Sequence, residues 1–360
     1  MRWNTSAENF RLAFSSVLQG AADSIESHRF VEIGANRPPW TATGIKLVAG
    51  DRVSLFCVGR AWLKSKPSAW VGAHFGLWIR VGTRGPIFRA ARGSCTFTAV
   101  NSGELYLGNI FPGAWADETG ALASPSSIFD GIAGTFEALV IRWRHDASQG
   151  LERMAHIGGP AAELVAAELQ ALRSPVQAPP GWVYLWSAGD AECFVEGGAR
   201  GIRCEIVDDA AILQKTVRAP LEPSTRLRWS WKIDRLPSNN AEDSVANHDY
   251  LSVAVEFDNG KDLTYIWSSS LEPERAFQCP IASWRDRETH LVIRSGAEEL
   301  GRWISEERSV WQDYRRAVGP APSQIVGVWL IAVSIFQHGL GRCEYRAIEL
   351  VNGSETLPVS

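Results

Sequence analysis

Residues 248–270 read HDYLSVAVEFDNGKDLTYIWSSS, and this stretch decides the fold. Leu251, Val253, Val255 and Phe257 alternate with Tyr250, Ser252, Ala254 and Glu256, the two-residue period of a strand with one face on a core. Asp258-Asn259-Gly260-Lys261 follows, where Asn-Gly can take the positive φ values of a tight turn. Leu263, Tyr265 and Trp267 alternate in the returning strand, so the stretch predicts a β-hairpin.

Segments of the same kind flank it. Leu227 to Ile233 places Leu227, Trp229, Trp231 and Ile233 on one face, and His290 to Arg294 and Cys343 to Val351 read as further strands. The nearly unbroken apolar run Ile325 to Phe336 predicts a strand covered on both faces. Together with Trp182 to Trp186 these predict one antiparallel sandwich over 181–360.

Upstream, short alternating runs separated by Gly, Pro and Asp predict a second sandwich over 30–146. Its strands are Ile45 to Val48, Val53 to Val58, Leu77 to Val81, Glu104 to Leu107 and Phe136 to Trp143. Before it, Thr5-Ser6-Ala7-Glu8 has capping-box spacing, and Phe10, Phe14, Val17, Leu18, Ala21 and Ile25 recur at helical intervals, predicting an amphipathic helix over 6–26 within an N-terminal segment 1–29. Its stripe docks on its own sandwich or pairs with a second subunit. Between the sandwiches, residues 147–180 predict a linker in which Pro160 opens an Ala-rich helix and SPVQAPPG stops it. The fold class is all-β: two antiparallel, jelly-roll-like β-sandwiches with an N-terminal helix and a helical, Pro-rich linker.

Length and charge narrow the function. A chain of 360 residues exceeds what one core usually organises, and a net charge of −4 implies no nucleic-acid surface. Arg80, Arg84, Arg89 and Arg92 form a local basic run that reads as a solvated face. No apolar run approaches a bilayer span, and MRWNTSAENF lacks the plan of a signal peptide, so the expected location is cytoplasmic. Six cysteines, at 57, 95, 193, 204, 279 and 343, form no CxxC pair, and most are expected as buried thiols; Cys193 and Cys204 can face each other across a hairpin. Sixteen Trp against two Met suit sandwich cores and equally platforms for flat apolar ligand faces.

Two family resemblances appear. WTATGIKLVAGDRVSLFCVGRAW (40–62), LWIRVGTRG (77–85) and GELYLGNIFPGAWADETGAL (103–122) together resemble the PA-IL-like galactose-binding lectins, small β-sandwiches that hold galactose through calcium. The resemblance implies Asn109, Asp117 and Glu118 as calcium ligands, with Thr119 close by. Two features depart from that family: a Thr ligand position falls near Ala114, and the His-Pro-Asp-Gln sugar loop is replaced by KPSAWVGAHFG, where Trp70 and His74 are the ligand-contact candidates. The C-terminal half resembles the uncharacterised DUF3047 family through LRWSWKI, HDYLSVAVEF, LTYIWSS, VIRSG, the trio Trp303, Glu306 and Arg308, and QDYRRAVG. Where that family carries an Asp-x-Asp-Asn-like cluster, this chain reads SIFQHG (334–339), leaving Ser334, Gln337 and His338.

No GxSxG, HExxH, Walker loop or dinucleotide GxGxxG occurs, so no nucleotide cofactor is expected. The polar residues gather around the hairpin: Glu242, Asp243, His248 and Asp249 lead into it, Tyr265 and Trp267 share a strand face, and Arg294 and Asp313 fall on segments expected nearby. Tyr265 and Trp267 with Arg294 and Asp313 at their edge suit a sugar, or else the aromatics are core and Arg294 pairs with Asp313. The expected function is binding of a carbohydrate or similar polyhydroxylated ligand, calcium-assisted in the first module. Two alternatives stay open. One is a cofactor-independent enzyme, a cyclase, lyase or glycan-acting catalyst, with His248, Asp249 and Tyr265 as acid/base groups. The other is a structural or assembly protein whose Trp-rich faces are interfaces, a homo-oligomer included.

Overall fold

The computed structural model of the protein describes residues 5–189, 193–198 and 201–360. The first four residues of the leading segment lie outside it. The chain divides into two compact units, Met1–Val176 and Gln177–Ser360.

In the first unit, a six-stranded sheet is ordered Ile25–Gly34, Thr135–Trp143, Arg52–Leu63, Ala69–Gly72, with Ser94–Thr98 and Ile132–Ala133 also pairing on Arg52–Leu63. A four-stranded sheet runs Thr41–Leu47, Gly103–Asn109, Leu77–Val81, Phe88–Arg89. The N-terminal helix is shorter than its apolar spacing predicts, Ala7–Gly20, because the chain turns through Ala22–Ser24 and enters a strand at Ile25. Its cap is Ser6, whose Oγ accepts from Asn9 N at 3.2 Å, rather than Thr5. Phe10, Phe14, Val17 and Leu18 bury against Phe56, Leu139 and Ile141, so the apolar stripe is covered within its own unit. Ala147–Ile157 and Ala162–Arg173, within the stretch read as linker, join the same core through Leu151, Met154 and Val165. Each such side chain withdrawn from water contributes about 1.5–3 kcal/mol.

The second unit is a sandwich. Its seven-stranded sheet is ordered Val183–Ser187, Ala210–Pro220, Gln324–Val333, Tyr250–Phe257, Asp262–Ser268, Glu288–Ser295, Ala276–Gln278. The facing sheet is ordered Phe194–Glu196, Ile202–Val207, Leu340–Asn352, Arg226–Arg235, Ile304–Ser309, with Glu355–Pro358 on Leu340–Asn352. Leu227, Trp229, Trp231 and Ile233 point inward as their alternation predicts and meet Leu251, Val253, Val255, Tyr265 and Trp267 from the other sheet.

The hairpin forms, with Val253 opposite Tyr265, but its turn needs only one left-handed residue: Gly260 has φ 76°. Phe257 N bonds Lys261 O, and Asn259 supplies a side-chain acceptor for Lys261 N at 3.2 Å. One pairing departs from the antiparallel plan. Asp262–Ser268 and Glu288–Ser295 run parallel, so the chain between them must cross back, and its Cys279–Arg287 stretch leads from the edge strand into Glu288.

Candidate functional site

Five segments end on the same side of the second unit. The Arg226–Arg235, Asp262–Ser268, Glu288–Ser295 and Gln324–Val333 strands finish there, and Leu340–Asn352 starts there. The loops that leave them enclose a cleft of ≈ 430 Å³. Its polar lining comes from Asp234, Arg235, Asn239, Asn240, Ser269 and Gln337, over an apolar floor that includes Leu236, Pro237 and Leu300.

The wall is held by directed bonds. Ser268 Oγ and Ser269 N (2.7 Å) both donate to the carboxylate of Glu242, and Ser269 Oγ donates to Asn240 O at 2.7 Å. Burial pushes the Glu242 carboxyl above its usual range, opposed by the Ser268 and Ser269 bonds. Asp249 accepts from Phe336 N at 3.1 Å and Gln337 N at 2.8 Å, fixing the opposite loop, and Gln337 Nε2 donates to Ala246 O. Gly339 lets the two loops touch, since a Cβ there would stand 1.8 Å from Pro237 O. The segment that departs from the family pattern, 334–339, is thus a bonded turn: Ser334 Oγ donates to Gly339 O, and His338 Nδ1 lies 2.7 Å from Asp208 Oδ1.

The residues singled out in the sequence fall elsewhere or into other roles. Tyr265 and Trp267 are fully buried, so no exposed aromatic face forms; odd positions of that strand point into the sandwich. Trp267 still supports the cleft from beneath, its Nε1 donating to the carbonyl of Gly296 in the cleft wall at 3.0 Å. Arg294 does not pair with Asp313. It donates to Glu306 at 2.6 Å and to Glu299 at 2.5 Å, while Asp313 is held by Arg308 and by the Tyr265 hydroxyl. Glu306 also accepts from Trp231 Nε1 at 3.1 Å, so it braces Arg294 against the facing sheet.

The acid/base trio is not assembled. His248 and Asp249 are buried rather than solvated, and Tyr265 faces the interior from the opposite side of the sheet to Tyr250 and His290. Burial, reinforced by His290, pushes the His248 imidazole down to about 3, and burial lifts Asp249 to about 7 against its backbone bonds.

In the first unit, Trp70 is half-buried opposite Trp62, with the Arg60 guanidinium 3.8 Å from its ring centre, and His74 is buried. The residues implied as calcium ligands differ in setting, one buried and two exposed. The buried carboxamide of Asn109 is engaged by backbone, Nδ2 donating to Ala35 O at 2.7 Å and Oδ1 accepting from Phe111 N at 3.3 Å. Asp117 lies on an exposed turn and accepts from both the N and Oγ1 of Thr119, bonds that hold its carboxyl below the usual range, and Glu118 is exposed beside it. A calcium ion needs six to eight convergent oxygens, and this arrangement does not fit one. All six cysteines, Cys193 and Cys204 included, lie among the described residues, and none is joined in a disulfide.

The fold and cleft define a two-unit β protein with a polar groove at the end of its C-terminal sandwich. Residues 192–349 match the model of a family described as "Protein of unknown function (DUF3047)", the family that the C-terminal motifs resemble. Among solved structures, the N-terminal domain of EclA, a PllA-like lectin, is 18% identical over 31% of this chain and 94% of its own, with a TM-score of 0.25. The xyloglucanase domain of NopAA from Sinorhizobium fredii is 8% identical over 44% and 86%, TM-score 0.30. A family 11 carbohydrate-binding module from Clostridium thermocellum is 10% identical over 48% and 88%, TM-score 0.25. Likenesses at these scores carry no weight for what this chain binds. A search of curated proteins finds no match.

Proposed function

We propose that the second unit is a binding module for an uncharged, polyhydroxylated ligand, a carbohydrate by class, seated in the cleft between residues 234–240 and 337–340. The observation that carries the reading is the lining: two exposed carboxamides, Asn239 and Asn240, with the Ser269 hydroxyl, above an apolar floor. Carboxamides offer donors and acceptors together and match hydroxyl groups, which do both; Leu236 and Leu300 suit the C–H face of a sugar ring. The single Asp234 and Arg235 charges are of opposite sign, so the cleft presents no net charge to select an ion. Its ≈ 430 Å³ falls within the ~300–1,000 Å³ of ordinary small-ligand pockets.

The test is a glycan array followed by calorimetry on the full chain and on the Asn239→Ala/Asn240→Ala variant. Saturable binding of a neutral glycan that the double variant loses supports the reading. Silence across the array, or binding that the variant keeps, removes it.

A further inference from the structure

On the outer face of the seven-stranded sheet, four buried side chains converge: His248, Cys279, Glu288 and His290. One ligand-type atom from each lies within 4.8 Å of all the others. His248 comes from the segment leading into the hairpin, and Cys279 directly follows the edge strand Ala276–Gln278. Glu288 and His290, two apart on one strand, share a face. We propose that these four side chains form a closed, four-coordinate site for a divalent transition metal of the zinc class.

The spacing fits such an ion. His248 Nε2 lies 3.4 Å from Cys279 Sγ, and His290 Nε2 lies 3.5 Å from Glu288 Oε2. Tetrahedral bonds of ~2.0–2.3 Å set neighbouring donors roughly 3.3–3.8 Å apart, so both pairs already stand at the edges of a metal tetrahedron. The surroundings orient the donors as metal ligands are oriented. His248 Nδ1 faces the carbonyl of Glu242 at 3.3 Å, which leaves Nε2 as the inward nitrogen. Glu288 Oε1 accepts from the Tyr250 hydroxyl at 3.0 Å, turning Oε2 toward His290. Phe277 stacks on the His290 ring at 4.8 Å and 6°, fixing its plane.

A second observation points the same way. His290 is wholly removed from water; its Nδ1 has no hydrogen-bond partner, and its Nε2 faces Glu288 Oε2 at 3.5 Å without a well-formed hydrogen bond. A buried polar group in that state is rare without something to bind. The charges also balance, because one thiolate and one carboxylate cancel a divalent ion while both imidazoles stay neutral, so the loaded site carries no net charge into the interior. Thiolate with imidazole favours zinc, or cobalt in its place, over calcium or magnesium. Four protein donors leave no open position, so the site is structural and ties the crossover to the hairpin.

The experiment is metal analysis of the full chain purified without chelator, then X-ray absorption at the zinc edge and optical spectroscopy after cobalt(II) exchange. About one zinc per chain is expected, with one sulfur and three nitrogen or oxygen donors. The cobalt form is expected to show intense tetrahedral visible bands with a thiolate charge-transfer band. Cys279→Ser should abolish that charge-transfer band, and His290→Gln should lower retained metal at least tenfold. A folded wild-type chain that takes up neither zinc nor cobalt overturns the proposal. So does a first shell with no sulfur or more than one, or uptake that both variants keep. Should a variant fail to fold, the wild-type sulfur count decides.

Discussion

Arg308 grips Asp313 with a two-pronged hydrogen bond, Nε to Oδ2 at 2.9 Å and Nη2 to Oδ1 at 2.7 Å. The Tyr265 hydroxyl donates to the same carboxylate at 3.3 Å, so one buried acid ties the hairpin to the helix Val310–Ala317. Removing it leaves the Tyr265 phenol without its acceptor and reduces Arg308 to its second carboxylate, Glu274, at 2.7 and 3.1 Å. Asp313→Ala is therefore expected to cost about 3 kcal/mol, whereas Arg308→Lys, which keeps the charge but loses the fork, costs about half as much. Chemical denaturation of both variants checks the order; equal effects would mean that charge alone, and not the fork, holds the helix.

Trp267 sits at the centre of the second core, and its Nε1 bond to Gly296 O reaches the cleft wall. Trp267→Ala is expected to destabilise by about 3–5 kcal/mol, and Trp267→Phe, which keeps most of the volume, by less. Thermal melts followed by near-ultraviolet circular dichroism measure this. A Trp267→Ala chain with a wild-type melt would contradict the buried placement.

Asn239 and Asn240 are exposed, so their substitution should leave stability within ~0.5 kcal/mol of the parent. Each lost hydrogen bond to a ligand costs about 1 kcal/mol, so single Asn→Ala changes should weaken binding roughly fivefold. Calorimetry with the glycan found on the array separates these effects. Weaker binding accompanied by a lower melting temperature would assign the two residues to the wall instead.

Five of the six thiols are buried, and the half-buried Cys95 is the most accessible. Burial, aided by Glu168 and opposed by Arg92, pushes the Cys95 thiol up to about 12. The folded chain holds that proton more tightly than the unfolded chain. The contribution of this group to stability is thus complete below about pH 9 and declines as pH rises toward 12. At pH 8, Ellman's reagent should find no fast-reacting thiol until denaturant is added. A rapid single-thiol phase in the native protein would contradict this environment.

Side-chain period carried most of the fold. Trp229 and Trp231 with Leu227 and Ile233 announce an inward face because residues two apart on a strand must share one. Ala210–Pro220 does not announce itself, since AAILQKTVRAP alternates only in part. The parallel pairing of Asp262–Ser268 with Glu288–Ser295 leaves no local mark at all, because register between distant segments is fixed by packing. The aromatic period was legible in Tyr265 and Trp267, but period does not say whether a face meets solvent or a second sheet. The cleft is hidden for a related reason: Asn239 and Asn240 lie in a loop whose composition signals only a turn, and Gln337 stands out only as a remnant of the family's acidic cluster. Of the four converging donors, His248 drew notice beside Asp249, while Cys279 read as an isolated thiol. The Glu-x-His spacing of Glu288 and His290 was the available signal, and it needed a partner far along the chain.

The parallel strand pair also shapes how this unit comes together. Tyr250–Phe257 and Asp262–Ser268 can zip from Gly260 as a local hairpin, but the next neighbour, Glu288–Ser295, arrives only after the chain has closed a long excursion. Loop-closure entropy is met before any of those contacts form, which slows assembly relative to a simple meander. Until that return, the open edge of Asp262–Ser268 offers its backbone to any strand nearby, including the same strand of another copy. During folding, then, the hairpin with the most local pairing at this sheet edge is also a place where two chains can exchange partners.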